Sequence, residues 1–188
     1  MAIEIPMRFE TEPLLWSVED VYTEAECRDF IDFIERSSPT LATNNPLYRN
    51  QDRVIKDDPA TAEELFRRLR PHLPGQINRL KLVGLNERLR MYRYRAGQRF
   101  EPHMDHWYQP SATRVTLHTV LVYFNDDFEG GETRFQEQLE QTIIPRRGLA
   151  AIFQHKIRHE GCPVRRGVKY AMRSDVIYEA PEPVSTVG

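Results

Sequence analysis

Residues 94–105 read YRAGQRFEPHMD and contain the sharpest local feature of the chain, the tripeptide His103-Met104-Asp105. Residues two apart on a β-strand project from the same face of the sheet. An imidazole and a carboxylate would therefore share one face at this point, and both are common metal ligands. The stretch predicts a strand whose end carries two different donors for one metal ion.

A third donor is available from His159, in the segment Arg158-His159-Glu160-Gly161 near the end of another predicted strand. Two histidines and one carboxylate on one side of a metal leave the opposite coordination positions open. Non-haem Fe(II) oxygenases use this arrangement. Open positions are what chemistry with dioxygen requires, so the three residues indicate a candidate iron site.

The second half of the chain has the sequence pattern of a β-rich domain. Short strand-like segments alternate with turn clusters rich in Gly, Asn, Asp and Pro, at intervals typical of a β-sandwich, jelly roll or barrel. The predicted strands are residues 89–95, 100–105, 114–124, 141–145, 149–154 and 169–178.

Helix signals occur only in the first half. Thr23 with Glu26 three residues later forms a capping-box pattern, and it predicts a helix that runs to about Arg36. Asp58 followed by Pro59 predicts the start of a second helix that ends before Pro71. Residues 37–52 are predicted to form a long loop, and long ordered loops usually cover something. We expect one domain over residues 1–188, with residues 1–80 as helical support and loop and residues 81–180 as the catalytic β core.

Composition excludes several classes of function. The 188 residues include 26 Lys and Arg against 28 Asp and Glu, and this near-neutral balance argues against a nucleic-acid partner. The most apolar stretch, about residues 115–124, is too short to span a bilayer, so no membrane partner is expected. Residues 1–10 lack the pattern of a secretory signal. Only two cysteines occur, which predicts reduced thiols and a cytoplasmic location.

The sequence resembles the prolyl 4-hydroxylase-like branch of the Fe(II)- and 2-oxoglutarate-dependent dioxygenases over about residues 88–179. Residues 47–70 also look like bacterial members of this group. The matching motifs are YRAGQRFEPHMD at 94–105, YFND at 123–126, GGET at 130–133, HEGCPV at 159–164 and GVK at 167–169.

The resemblance implies a double-stranded β-helix, a cupin-like jelly roll, with Fe(II), 2-oxoglutarate and O2 as cofactor and cosubstrates and ascorbate as a further reductant. It implies that His103, Asp105 and His159 are the iron ligands. Lys169 would pair with the far carboxylate of 2-oxoglutarate, and Tyr94 and Tyr123 would line the cosubstrate pocket. The implied reaction hydroxylates an unactivated C–H bond and releases succinate and CO2. The substrate would be a prolyl residue in a peptide or a free small molecule.

Two other classes of function stay open. The chain could be a non-catalytic jelly roll that binds metal as a sensor or structural module, or a zinc hydrolase that activates water with the same donors. Neither has a use for a cation at cosubstrate distance, so Lys169 distinguishes them from the oxygenase. Rival cations for that role are Arg165, Arg166 and Arg173.

The remaining candidate residues receive structural interpretations. On a strand, His155 and His159 would lie ~13 Å apart, so His155 is expected to be structural. A packed or edge position is expected for His118, a pocket edge for His106, and a turn rather than a zinc site for Cys162. For Trp107 and Tyr108, substrate contact and core packing are equally expected. Weaker candidates for substrate contact are Asn50, Arg53 and Arg114.

Overall fold

The computed structural model describes residues 9–181 except residues 11 and 138. Within this part of the chain lie two α-helices, one 3-10 turn and fifteen strands. The helices are α1 (Glu24–Arg36) and α2 (Pro59–Leu69), and Arg70–His72 form the 3-10 turn. The strands are β1 (Leu15–Val18), β2 (Thr40–Leu41), β3 (Asp52–Asp57), β4 (Gln76–Ile77), β5 (Leu80–Leu85), β6 (Arg88–Arg95), β7 (Phe100–His103), β8 (Arg114–Tyr123), β9 (Glu129–Gly130), β10 (Thr133–Phe135), β11 (Thr142–Ile143), β12 (Ala150–Gln154), β13 (His159–Gly161), β14 (Val164–Arg166) and β15 (Val168–Glu179).

Both predicted helices are present with the predicted caps. At α1 the Thr23 side chain accepts from the Glu26 N–H, and the Glu26 carboxylate accepts from the Thr23 N–H at 2.8 Å. At α2 the Asp58 carboxylate accepts from the Thr61 N–H at 3.1 Å, and Pro59 occupies the first turn. Neither helix, nor any other among the described residues, is long and apolar enough to cross a membrane.

The strands form three antiparallel sheets. The largest has nine strands in the order β1-β12-β8-β15-β6-β3-β2, with β5 joined to β15 and β4 joined to β5. A four-stranded sheet has the order β11-β10-β13-β7, and β14 pairs with β9. This antiparallel arrangement confirms the mainly β architecture and the jelly roll that the resemblance implied.

The large sheet has two unlike faces. One face packs on the helices and forms the main apolar core, in which Ile34 of α1 and Leu65 of α2 meet Val120 and Val122 of β8. The other face turns toward the four-stranded sheet, and there β8 presents Thr119 and Leu121. The alternation of β8 therefore separates the packed core from the space between the sheets.

Residues 1–80 contain more than the expected helices and loop. Strands β1 to β4 also lie there; β1 pairs with β12 and β3 pairs with β6, so both extend the large sheet. Strands such as β3, with the sequence DRVIKD, carry too weak an alternation of apolar and polar residues to be recognised from the sequence. The expectation for residues 1–10, that they are not a secretory signal, falls largely outside the described residues.

The predicted loop over residues 37–52 includes the short strand β2 and then runs along β7. The Asn50 N–H donates to the Arg99 carbonyl at 3.2 Å, and the Glu101 N–H donates to the Tyr48 carbonyl at 2.9 Å. The loop is thereby held beside the strand that carries His103.

Candidate metal centre

The structure brings His103, Asp105 and His159 together, as the sequence predicts. His103 ends β7 and lies directly opposite His159 of β13 in the antiparallel register. Asp105 follows two residues after the strand end, where its N–H donates to the His155 carbonyl at 2.8 Å. One donor atom from each of the three side chains lies within 4.8 Å of the others. The distances from Asp105 oxygens to Nε2 are 3.9 Å for His103 and 3.8 Å for His159.

Backbone carbonyls fix the hydrogens of the two imidazoles. His103 Nδ1 lies 2.8 Å from the Glu101 carbonyl, and His159 Nδ1 lies 2.9 Å from the Ile157 carbonyl. A carbonyl only accepts, so each Nδ1 carries the hydrogen and each Nε2 presents a lone pair. Burial lowers the pKa of His103 to about 3, with the neighbouring His159 also contributing, and burial lowers the pKa of His159. Both rings are therefore neutral, the form that binds metal ions.

Asp105 is an ionised carboxylate held on both oxygens. Its burial favours the neutral acid, but the Arg173 guanidinium outweighs that effect and lowers its pKa below the usual range. Arg173 Nη1 donates to Oδ1 at 2.6 Å, and the Thr119 hydroxyl donates to Oδ2 at 2.5 Å. The donor set of two neutral imidazoles and one carboxylate fits a divalent transition metal such as Fe(II).

A buried cation lies in the same pocket. Lys169 is 2% exposed, and its ammonium donates to the Gly131 carbonyl at 2.6 Å. It makes no ion pair with any residue that the structure describes, and burial lowers its pKa to about 8. The ammonium lies 5.1 Å and 5.2 Å from the ring centres of Tyr94 and Tyr123. A buried positive charge without a counter-ion in a pocket is suited to the carboxylate of a ligand.

Gly131 adopts a conformation with φ +68°, which L side chains rarely adopt. A Cβ at this position would also lie 3.2 Å from the Lys169 side chain. Glycine in the GGET motif therefore lets the backbone approach Lys169 closely enough to hold its ammonium.

The two tyrosines have different positions. Tyr94 lines the pocket, and among the described residues its hydroxyl has no hydrogen-bond partner. Tyr123 lies behind the wall, where its hydroxyl is 2.7 Å from the Thr133 hydroxyl. Burial raises the pKa of both tyrosines, so both hydroxyls are neutral. Tyr94 is thus free to bind a ligand, whereas Tyr123 acts on the pocket through Thr133.

The pocket has a cavity volume of about 40 Å³ and lies between the two larger sheets. Thr119, Leu121 and Phe153 form part of its floor on the large sheet. Phe100 stacks on His103 with ring centres 3.5 Å apart. Apolar side chains therefore surround the polar groups and limit the access of water.

The structure separates the rival cations. Arg165 and Arg166 are exposed and lie near Glu132 and Glu129, so neither belongs to the pocket. Arg173 does line the pocket, but its guanidinium bridges Asp105 and Asp175. Of the four candidates, Lys169 is the cation that lacks a carboxylate partner among the described residues.

The remaining candidate residues differ in burial and in the groups that they contact. His155 is buried beneath the metal ligands, His118 is buried on the core face, and His106 is exposed. Trp107 packs against the core and under the Lys156 ammonium, whereas Tyr108 is 52% exposed. Cys162 is a buried free thiol.

The three weaker candidates for substrate contact, Asn50, Arg53 and Arg114, also have defined positions. The Asn50 side chain accepts from the Arg99 N–H at 2.7 Å, and Arg114 pairs with Glu179 at 2.8 Å. Arg53 lies on β3 in the antiparallel pairing with Tyr92 of β6. These contacts give Asn50 and Arg114 structural partners.

Sequence reasoning missed Arg49. Its guanidinium lies 4.2 Å from the Phe100 ring centre, and its Nε and Nη2 are buried without hydrogen-bond partners among the described residues. Sequence reasoning also assigned Arg173 only as a rival for Lys169. The alternation of residues 169, 171 and 173 on one face of β15 was the signal that places Arg173 in the same pocket.

Comparison with known proteins agrees with this geometry. Residues 89–174 match the family model of the 2OG-Fe(II) oxygenase superfamily. A probable prolyl 4-hydroxylase 8 of Arabidopsis thaliana is 30% identical to the chain over an alignment that covers 45% of this chain and 40% of the relative. The chain thus spans about 40% of the length of the curated relatives that it matches.

Two solved structures resemble the whole fold. A viral collagen prolyl hydroxylase from Paramecium bursaria Chlorella virus-1, in complex with 2-oxoglutarate, has a TM-score of 0.70 at 22% identity, and the match covers 90% of this chain and 98% of that chain. A prolyl hydroxylase from Trichoplax adhaerens, in complex with a hypoxia inducible factor peptide fragment, has a TM-score of 0.65 at 15% identity, covering 87% and 83%. Together, the comparisons confirm the resemblance to prolyl 4-hydroxylase-like 2-oxoglutarate oxygenases and the jelly-roll fold.

Proposed function

We propose that the protein is an Fe(II)- and 2-oxoglutarate-dependent dioxygenase that hydroxylates an unactivated C–H bond and releases succinate and CO2. One observation carries the proposal: a single pocket combines the ligand set of His103, Asp105 and His159 with Lys169, a buried cation that has no counter-ion among the described residues. When bound, Fe(II) supplies the activation of dioxygen that amino-acid side chains cannot provide.

The residues of the chain have separate tasks in this proposal. The Nε2 lone pairs of His103 and His159 and the carboxylate of Asp105 would hold the metal. Lys169 binds the far carboxylate of 2-oxoglutarate through charge, and the unpartnered Tyr94 hydroxyl adds a hydrogen bond. The apolar wall that includes Phe100 keeps water away from the reacting atoms.

The two alternative functions lack a use for this pocket. A non-catalytic metal-binding sensor or structural module needs the three ligands but no buried ammonium beside them. A zinc hydrolase needs the ligands and a water molecule. Burial of an unpaired Lys169 costs free energy in both cases, whereas an oxygenase recovers that cost when it binds the dianionic cosubstrate.

For the substrate, we propose a prolyl residue in a peptide, with a free small molecule as the alternative. The names of the relatives support this choice, and so does the form of the mouth of the pocket. The loop along β7 exposes Leu47 and Tyr48, at 80% and 41%, and holds the unpaired Arg49 close to Phe100. Exposed apolar side chains and an unpaired donor beside a pocket suit an extended peptide with carbonyl acceptors.

The proposal has two further parts, an auxiliary reductant and a cellular location. Ascorbate would serve as an auxiliary reductant. We also propose a cytoplasmic location, which is consistent with the two buried free thiols of Cys27 and Cys162.

The deciding experiment is an anaerobic titration of 2-oxoglutarate into the Fe(II)-loaded protein. A chelated 2-oxo acid gives a visible charge-transfer band, which we expect in the wild type and not in His103→Ala. Metal binding without this band would contradict the oxygenase and favour the sensor or the hydrolase. Admission of oxygen with a prolyl peptide or with free L-proline, and measurement of succinate, then distinguishes the two substrate variants.

A further inference from the structure

The carboxylate of Asp105 is held by a series of hydrogen bonds through Thr119, His155 and Thr116, which we call the relay. Thr119 Oγ1 lies 2.5 Å from Asp105 Oδ2 and 2.9 Å from His155 Nδ1. An ionised carboxylate only accepts hydrogen bonds, so Thr119 donates its single hydroxyl hydrogen to Asp105. The Thr119 oxygen must then accept from His155, which places a hydrogen on Nδ1 of that ring.

The relay continues from the other ring nitrogen of His155. Nε2 lies 3.0 Å from Thr116 Oγ1, and this oxygen also accepts from the Tyr108 N–H at 2.9 Å. In a neutral imidazole with its hydrogen on Nδ1, Nε2 accepts from the Thr116 hydroxyl. Every hydrogen then has an acceptor, in one direction: Tyr108 N–H to Thr116, Thr116 to His155, His155 to Thr119, and Thr119 to Asp105.

A doubly protonated His155 is incompatible with this direction of hydrogen-bond donation. If both nitrogens of His155 carried hydrogens, Nε2 would donate to Thr116, whose own hydroxyl hydrogen would then have no acceptor among the described residues. Thr116, Thr119 and His155 are each at most 1% exposed, so bulk water does not reach these groups. A buried unpartnered donor costs about 1–3 kcal/mol.

A β-bulge in β8 makes the relay possible. Residues three apart on a regular strand point to opposite faces of the sheet, yet Thr116 and Thr119 contact the same imidazole. The pairing of β8 with β15 shifts register here, because Val176 lies opposite His118 and Ile177 lies opposite Thr116. Bulges turn side chains in this way, and they occur often beside active sites.

We propose that Thr119, His155 and Thr116 are positioning residues that set the orientation of Asp105 as a metal ligand. Arg173 holds Oδ1 and the relay holds Oδ2, so rotation of the carboxylate is restrained at both oxygens. The relay begins at the Tyr108 backbone, so it also ties the residues that follow Asp105 to the metal ligand. The metal in this inference rests on the proposed function, whereas the direction of the relay does not.

The first test is independent of metal. A long-range ¹⁵N–¹H correlation spectrum of the metal-free protein reports which imidazole nitrogen carries the hydrogen, and the loss of signals in His155→Asn assigns that ring. We expect the Nδ1–H form for His155 in the wild type. An Nε2–H form or a doubly protonated ring would overturn the relay.

The second test measures Co(II) affinity and the visible Co(II) spectrum. Partners that orient metal ligands are typically worth about 10- to 100-fold in affinity, so we expect a loss of that size and a changed spectrum in Thr119→Val, which has nearly the same shape. In His155→Asn the amide nitrogen can still donate to Thr119, so affinity and spectrum should approach those of the wild type. His155→Leu lacks the donor and should resemble Thr119→Val.

His118→Leu is the matched control, because it removes a second fully buried imidazole from the opposite face of the sheet. It should leave Co(II) affinity and spectrum unchanged. Wild-type affinity and spectrum in Thr119→Val would refute the positioning role. If the wild type binds no Co(II), the metal centre of the proposed function and the positioning role fail together, and the tautomer of His155 still decides whether the relay exists.

Discussion

The two faces of the large sheet each bury a histidine, and the two histidines differ in their hydrogen-bond partners. On the core face, both ring nitrogens of His118 lack hydrogen-bond partners among the described residues, and the ring packs against Trp16 at 5.4 Å and Tyr178 at 5.9 Å. On the pocket face, both ring nitrogens of His155 contact threonine hydroxyls. Burial lowers the pKa of His118 to about 3 and that of His155 to about 4.

The comparison shows that neither burial nor a displaced pKa identifies a functional residue in this protein. A functional residue is instead identified by the directions of the hydrogen bonds that its side chain makes. On the pocket face, donors and acceptors form chains that end at Asp105, and the neutral rings of His103 and His159 present their lone pairs toward the same carboxylate. The core face has no such chain around His118 among the described residues.

The largest expected effect concerns the charge on the pocket face. Lys169→Met should weaken 2-oxoglutarate binding to the Fe(II)-loaded protein by about 30-fold or more, because a charge-assisted contact of about 2–5 kcal/mol is lost. Titration of the visible charge-transfer band measures this effect. Removal of an unpaired buried charge should also raise the free energy of unfolding of the protein without ligands.

Lys81→Met provides the control, since Lys81 is exposed on β5. It should change neither measurement. Unaltered 2-oxoglutarate affinity in Lys169→Met would show that another group, such as Arg173, binds the far carboxylate.

The second prediction exchanges a methyl group for a hydroxyl on the core face. Val120 adjoins Thr119 on β8 but is fully buried in the main core. Val120→Thr buries a hydroxyl without a partner and should lower the free energy of unfolding by about 1–3 kcal/mol, measured by denaturant titration. Co(II) affinity of the folded protein should stay at the wild-type value. A loss of affinity as large as that expected for Thr119→Val would mean that the two faces are not independent.

These contrasts also explain what the sequence could and could not predict. His103, Asp105 and both helices were predicted because strand alternation and helix caps are local patterns. The role of Lys169 came from the family resemblance, and the structure places this residue in the same pocket as the triad. The strands β1 and β3 were missed because they are short, and β1 pairs with β12 and β3 with β6, strands that lie far away in the chain.

The relay was not predictable from local patterns. The sequence analysis separated His155 from the metal ligands on the premise of an extended chain, but residues 155–157 form a turn between β12 and β13. His155 instead stays apart from the three ligands because its ring nitrogens contact Thr119 and Thr116. Its link to Asp105 depends on the register between β8 and β12 and on the bulge between Thr116 and His118. Register and bulges arise from tertiary packing, so a sequence pattern around residue 155 alone contains no signal for them.

The smallest expected effect is a change in the pH dependence of stability. The pKa of His118 in the folded state, about 3, lies below the unfolded value near 6.5, so the unfolded chain binds one more proton between these values. Stability contributed by neutral His118 is therefore complete above pH 6.5 and falls as the pH decreases. His118→Leu should remove about 1.4 kcal/mol of the loss in unfolding free energy between pH 7.5 and pH 5.5. Denaturant titrations at the two pH values measure this difference, and an unchanged pH dependence would show that His118 is protonated or solvated in the folded protein.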